Sequence, residues 1–299
     1  MSKSFAQDLG SSVAALITVR TAAVEWQPMT KVEEVATIVI GVDGAHLNTL
    51  PDGWRQGMAG TAALYNIDGE RLETLYVGGG PGATPPQGKA AFFAQMDLHI
   101  ENLRQRFPTA RVVGLSDGAQ DLQSYLGQRT DEHLLDFHHA AEYISLIAPA
   151  FAPRCRADTA QAKAWASEQR HQLRDQPGAA LSLLEKVRKR LRPANRPSKL
   201  KTAPLTQAAR AGLEKAEVYF TNNLGRMDYA GWQARQLPIG SGVTEAACKT
   251  LIKQRLCQSG MRWSIAAADA LLTLRALYLT PSHWDQFWSL HNQPTPNTL

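Results

Sequence analysis

ATIVIGVDG, residues 36–44, is the stretch that decides the fold. Thr37, Ile38, Val39, Ile40 and Val42 run without a polar break into Asp43-Gly44. A short, continuous, β-branched run closed by a turn signal predicts a strand buried on both faces. A second run of the same kind, ARVVGLSDG at residues 110–118, closes on Asp117-Gly118. Strands of this type are central in a sheet, and the ends of central strands are where sheet-based sites form. Asp43 and Asp117 are therefore candidate site residues, although Asp-Gly at a strand end is also an ordinary turn.

Around these two strands the pattern is regular. GTAALYNIDGERLETLYVGG, residues 60–79, reads as two strands joined at Asp68-Gly69, a hairpin signal. The Gly- and Pro-rich GGGPGATPPQG is a loop. AAFFAQMDLHIENLRQRF then places Phe92, Met96, Ile100 and Leu103 at helical spacing. AQDLQSYLGQ predicts a short helix, and EHLLDFHH, residues 132–139, a third short strand. The order strand, hairpin, helix, strand, helix, strand predicts a mixed five-stranded sheet with flanking helices. Its first three strands are antiparallel and its last two run parallel to the first. That is the arrangement of a ribonuclease H-like α/β core, with Asp43 and Asp117 at neighbouring strand ends.

From residue 140 to 236 the pattern is wholly helical, with no strand-like alternation, and reads as an all-helical insertion. The sheet pattern precedes it over 35–139 and the core resumes over 237–290. Residues 1–34 read as an amphipathic helix, with Phe5, Leu9, Val13, Leu16 and Val24 on one side, followed by a Pro-containing break. Residues 291–299 read as a frayed tail.

A third acid, Glu245, lies near the start of a predicted helix in LPIGSGVTEAACKTLIKQRL, residues 237–256. Glu near a helix start is favoured by the dipole and by capping. Lys249 and Lys253 follow at i+4 and i+8, which puts two ammonium groups on the face of Glu245. Cys248, Leu251, Ile252 and Leu256 form the opposite, core face. Three carboxylates gathered from Asp43, Asp117 and Glu245 make a set of hard oxygen ligands for two Mg²⁺ or Mn²⁺ ions. Two ions held together serve in-line displacement at phosphate. Asp136, one strand over from Asp117, competes with it for the place of second acid. His139, three residues on, is placed to contact substrate or to orient a carboxylate.

The positive charge fits a polyanionic partner. The net charge is +5 and the pI about 9.1. From Lys186 to Lys201, both included, there are eight Lys or Arg residues and no acid. Lys186, Arg188, Lys189, Arg190 and Arg192 are candidate phosphate contacts, against the alternative of a solvated helix face. Arg255, Arg262 and Trp263 add cations and an aromatic ring that suits stacking on a distorted DNA end. The alternative for Trp263 is core packing.

Other classes are excluded by composition. With 44% apolar and 20% charged residues the chain has the balance of a soluble globular protein of one or two domains. Cys155, Cys248 and Cys257 form no CxxC pair, which excludes a zinc ribbon, and their odd count points to a reducing cytoplasm. No apolar run is long enough for a membrane span, and the N-terminus lacks the layout of a secretory signal.

Several segments taken together resemble one known family. These are GVDGAH, LSDGAQDL, LLDFHHAAEYI, YFTNN, RMDYAGWQARQLPIGSGVTEAACKTLIKQRL and GMRWS. They resemble the DDE transposases of bacterial insertion sequences, most of all the Kra family related to Mutator-type elements, over roughly residues 35–290. The resemblance implies a ribonuclease H-like fold interrupted by a helical insertion. It implies two-metal cleavage of double-stranded DNA at transposon ends and joining of 3′-hydroxyls to target DNA. By position it makes Asp43, Asp117 and Glu245 the three acids and puts Asp136 and His139 on a C/D-x-x-H element. A homodimer or larger assembly on DNA, associated with the nucleoid, is the expected working form. Family members usually carry a longer N-terminal region with DNA-binding helices, whereas only about 35 residues precede the first catalytic strand here. The expectation is a truncated copy, a fragment or a domesticated catalytic domain. Two other readings of the same core stand beside it: a nuclease that cuts without joining, and a non-catalytic DNA-binding derivative.

Overall fold

The computed structural model describes residues 25–152, 159–192 and 204–291. The helix expected over the N-terminal residues falls almost wholly outside them, as do Cys155 and most of the basic stretch beyond Arg192.

The fold is mixed α/β. Strands β1 (Thr37–Leu50), β2 (Gly53–Tyr65), β3 (Arg71–Gly79), β4 (Arg111–Ser116) and β5 (Glu132–Leu135) form one open sheet in the order β3-β2-β1-β4-β5. A two-residue strand, β6 (Trp263–Ser264), runs parallel to the far end of β1. β1, β2 and β3 are antiparallel neighbours. β4 starts beside the start of β1, where the Arg111 N–H donates to the Ala36 carbonyl at 3.1 Å. On either side of β5, the Asp131 and Asp136 N–H groups donate to the carbonyls of Val112 and Ser116. These two bonds advance together, so β4 and β5 are parallel.

β1 differs from its expected form in one respect that bears on the site. It does not stop at Asp43-Gly44 but continues to Leu50, so Asp43 lies in mid-strand. Asp-Gly is not a turn here because β2 begins at Gly53 and pairs Asp43 with Ala59 and Gly44 with Met58, extending the ladder past the Gly. β1 is buried on both faces from Thr37 to Val42; beyond Gly44 it alternates, Ala45, Leu47 and Thr49 buried and His46 and Leu50 exposed.

The second difference is at EHLLDFHH. The strand ends at Leu135, and helix α3 (Phe137–Ile147) starts two residues later with Asp136 as its N-cap. The expected strand residues 136–139 are therefore a helix start. An Asp with a backbone N–H three residues on is capping geometry, and it outweighs extension of a four-residue strand.

By internal contacts the chain divides into two compact units. The sheet unit comprises Met1–Gly114, Ser124–Glu132 and Ser241–Leu299; the helical unit comprises Leu115–Gln123 and His133–Gly240. In the sheet unit, α1 (Pro85–Arg106) packs on one face of β2 and β3, with Phe92 and Met96 where Gly60 and Gly79 carry no side chain. The other face carries the helical run from Gly242 to Leu256, here α8, and α9 (Ile265–Leu279). Leu272 of α9 lies against Gly57 and Gly78, and Ala45, Leu47, Leu251, Ile252, Leu256 and Leu272 share one core cluster. The last helix, α10 (Pro281–His291), holds the first described residues: the buried Trp26 indole N–H donates to Ser282 Oγ at 2.9 Å.

In the helical unit, every regular element from Phe137 to Ala234 is helical among the described residues: α3, α4 (Ala160–Asp175), α5 (Ala179–Leu191), α6 (Gln207–Asn223) and α7 (Tyr229–Ala234), with short 3-10 turns. The short α2 (Gln120–Arg129) contributes to both units. The helical unit's aromatics make a core of their own: Tyr143 stacks on Tyr219 at 3.7 Å, and Phe137 meets Tyr229 edge-on at 5.3 Å.

Candidate functional site

In the sheet unit, Asp43 shares a face of β1 with Gly41, Ala45 and Leu47, because side chains alternate along a strand. This is the face that receives α8. Approach is close because Gly41 has no Cβ: one built there would stand 1.9 Å from Thr244 Oγ1 and 3.1 Å from Thr61 Oγ1. Those two hydroxyls hydrogen-bond at 2.8 Å in the buried layer. Gly41, Thr61 and Thr244 thus set the height and register of α8 on the sheet, and Glu245 is the next residue.

One turn further along, Cys248 faces Asp43. The Cys248 thiol is hydrogen-bonded to the Asp43 carboxylate, and burial, then Asp43's charge, push its pKa up to about 12. It is a protonated donor, not a thiolate. Asp43 Oδ1 also accepts the Gly44 N–H at 2.6 Å, and Glu245 Oε1 accepts Ser241 Oγ at 2.7 Å. Each carboxylate is therefore oriented by a protein donor, while Glu245 is exposed.

α8 is not uniform. Gly242–Cys248 is α-helical, Lys249–Lys253 forms a π turn, and Gln254–Leu256 returns to α. In an ideal α-helix the residue at i+8 has turned about 80° past the starting face. The wider π turn takes up roughly one residue's rotation and carries Lys253 back toward the face of Glu245. Lys249, Lys253 and Arg255 are exposed, and the expected core face, Cys248, Leu251, Ile252 and Leu256, is buried.

In the helical unit, Asp117 directly follows β4, half-buried, with Oδ1 accepting the Ala119 N–H at 3.0 Å. Gly118 takes φ +105, a conformation that suits Gly, and its missing Cβ leaves room for Leu135. Asp136 is fully buried. Its Oδ1 accepts the His139 N–H at 2.9 Å, so the Asp-x-x-His spacing is at least the spacing of a helix cap. The His139 ring lies 3.8 Å from Glu142. Asp136 and Asp117 both face Tyr219, whose hydroxyl is held above its ordinary pKa by burial, then Tyr143 and these carboxylates. Tyr229, fully buried, is raised by burial, then by Tyr219 and Asp136. Both acids remain candidates for the second carboxylate.

Beside them is a polar cluster that no sequence signal announced beyond the YFTNN segment. Asn223 accepts from Gln123 at 2.9 Å and from Arg226 at 2.8 Å and donates to the Tyr219 carbonyl. Ser116 Oγ and His133 Nε2 are 2.9 Å apart. Burial, then Arg226, lowers the His133 pKa to about 4, so the ring is neutral at pH 7.

The basic run on α5 has a different setting from the expected solvated or phosphate-bound one. Lys186 Nζ donates to Gln169 at 2.7 Å and Gln172 at 3.2 Å. Arg188 pairs with Glu217 at 3.2 Å and reaches Thr221, and Arg190 donates to the Ala150 carbonyl at 2.8 Å. These three cations tie α5 to its neighbouring helices; Lys189 and Arg192 are exposed. Trp263 has the core role: half-buried, packed on the α8–α9 cluster, its indole N–H on the Leu256 carbonyl at 3.0 Å. Arg262 beside it is exposed. No helix among the described residues is long and apolar enough to cross a membrane. The chain matches no family model and no curated protein.

Proposed function

We propose that this chain is a DDE-type phosphodiester transferase of the ribonuclease H-like class that cleaves double-stranded DNA and joins its ends, as a transposase does. The observation that carries the reading is the seating of α8. A Gly-threonine contact locks the helix bearing Glu245 onto the face of a central strand that bears Asp43. An acid in mid-strand and an acid on the helix packed over it support the roles of first and third carboxylate. The mixed sheet, the parallel β4 and β5, and the helical stretch before Glu245 fit the same class.

The donor set suits hard cations. Asp43 and Glu245 offer carboxylate oxygens, and the sulfur beside Asp43 is a buried thiol donating to that carboxylate. Asp43 and Glu245 would hold Mg²⁺ or Mn²⁺, and the resemblance assigns the second acid to Asp117, with Asp136 as its rival. Such ions, when bound, activate the attacking oxygen and stabilise the leaving one. The chain's own part is to orient the carboxylates: Gly44 N–H and Cys248 hold Asp43, and Ser241 holds Glu245. Exposed Lys249 and Lys253, on the side of Glu245, are placed to contact phosphate. A dimer or larger assembly on DNA belongs to the same reading.

The test is Mg²⁺-dependent nicking of supercoiled plasmid, with strand transfer of a labelled 3′-hydroxyl end as a second readout. Asp43→Asn and Glu245→Gln are expected to abolish both while leaving the thermal midpoint unchanged. Asp117→Asn and Asp136→Asn, run in parallel, identify the second acid by which one abolishes nicking. Full activity in the Asp43 or Glu245 variant removes that residue from the site. Nicking without strand transfer assigns a nuclease, and no nicking by the wild type assigns a non-catalytic DNA-binding protein.

A further inference from the structure

α1 packs on β2 and β3, with Phe92 and Met96 against Gly60 and Gly79. Beyond Gly44 this face of β1 and β2 is open among the described residues. Its residues follow from the ladder: His46 pairs with Gln56, Asn48 with Trp54, and Leu50 lies at the end of β1. Trp54 is 66% exposed and Leu50 51%. Trp54 is in a strand, not at a loop tip, with the adjoining turn tied by Thr49 Oγ1 to the Gly53 carbonyl at 2.7 Å. Gly44 has no side chain, and the Gln56 amide lies over it, 2.5 Å from where a Cβ would be.

On the other side of β1, Trp263 pairs in parallel with Thr49. Trp263 points into the core, so pleat alternation places the exposed Arg262 before it on the open face, beside Asn48. Arg262, the residue before β6, then follows in line with Asn48 on β1 and Trp54 on β2, a span of roughly 10 Å at the usual strand spacing. Among the described residues the face carries an aromatic ring, a guanidinium, two amides and an imidazole, and no carboxylate. Asp52, in the adjoining turn, is paired with Arg55 at 3.0 Å.

We infer that this open face binds single-stranded nucleic acid, with an unpaired base stacked on Trp54 and a backbone phosphate on Arg262. A rigid sheet presenting an exposed ring stacks any base, because every base has a π-face. The Asn48 and Gln56 amides flank the ring and are placed to hydrogen-bond base edges that only an unpaired strand exposes. The cation beside the ring supplies the charge complementarity. The inference shares with the proposed function only the nature of the polyanion and needs none of its metal chemistry.

The experiment is fluorescence anisotropy of a labelled 12-nucleotide oligothymidine and of a 12-base-pair blunt duplex, both in EDTA with the full chain. The oligothymidine is expected to bind, and Trp54→Ala to weaken it about tenfold with little change in the salt slope. Trp54→Phe should restore most of the affinity. Arg262→Gln should flatten the dependence of log K on log salt by about 0.7, the single-strand value for one phosphate contact. The duplex should respond to Trp54→Ala by less than twofold. Trp54→Ala binding the oligothymidine like the wild type, or no binding of it by the wild type, overturns the inference. Asp43→Asn and Glu245→Gln are run alongside: loss of nicking with unchanged oligothymidine binding separates this face from the proposed active site.

Discussion

The molecule carries two runs of positive charge, and it uses them differently. On α5 of the helical unit, Lys186, Arg188 and Arg190 reach Gln169, Gln172, Glu217, Thr221 and the Ala150 carbonyl. In the sheet unit, Lys249, Lys253, Arg255 and Arg262 are exposed and have no carboxylate partner among the described residues. Three cations of the denser run are engaged by neighbouring groups, and the four of the sparser run are exposed. Local charge density does not report which cations are engaged. That depends on whether neighbouring helices bring acceptors, and α4 and α6 do so for α5.

The largest expected effect breaks the comparison if it fails. Changing Lys249, Lys253, Arg255 and Arg262 together to Gln should lower duplex DNA affinity by about 100-fold or more near physiological salt. It should flatten the log K against log salt slope by about 0.9 for each phosphate that is no longer neutralised. Thermal stability should hold, because exposed charges contribute little to folding. Binding titrations over a salt series measure both quantities, and an unchanged slope would mean that these cations are only solvated.

The matching change on α5, Lys186, Arg188 and Arg190 to Gln, should do the reverse. Urea unfolding should show a loss of about 2–3 kcal/mol, since each removed cation leaves a part-buried acceptor unmet and only the exposed Arg188 pair is cheap to lose. Duplex affinity should change by less than threefold. A variant that keeps its stability and loses affinity would return this run to the role expected from sequence.

A smaller effect compares the units through their histidines. His99 in the sheet unit is lowered to about 4 by burial, then by His283, and His133 in the helical unit to about 4 by burial, then Arg226. Both are neutral when folded and regain the ordinary value of 6.5 when unfolded. Below pH 6.5 the unfolded chain binds protons that the folded chain does not, so stability falls as the pH is lowered toward about 4. The unfolding midpoint should drop between pH 7 and pH 5, and His99→Gln and His133→Gln should each make that drop shallower. Equal slopes in wild type and variants would show that neither ring is buried neutral.

Much of this architecture was legible in the residues. Continuous β-branched runs announced β1 and β4, Asp68-Gly69 announced the β2–β3 turn, and apolar spacing announced α1 and the core face of α8, because these signals are local. Boundaries that depend on a partner were not legible. Asp43-Gly44 looks like a strand end until the opposite strand is known, and it is the ladder to Ala59 and Met58 that carries β1 on to Leu50. Asp136-Phe137-His138-His139 looks like a strand until its capping bond is counted.

The sequence by itself determined which residues are candidates for a site: the acids Asp43, Asp117, Asp136 and Glu245, the cations, and the helix that carries Glu245. Tertiary structure alone decided which side chains are engaged. It turned Trp263 into the core and left Trp54 exposed, tied three α5 cations to neighbouring helices, and brought Thr244 against Gly41 so that Glu245 has a set register on the sheet. The physical reason is that a residue's type sets its charge and donors. Its exposure and partners depend on groups far away in the chain, such as Thr61 for Thr244, 183 residues distant.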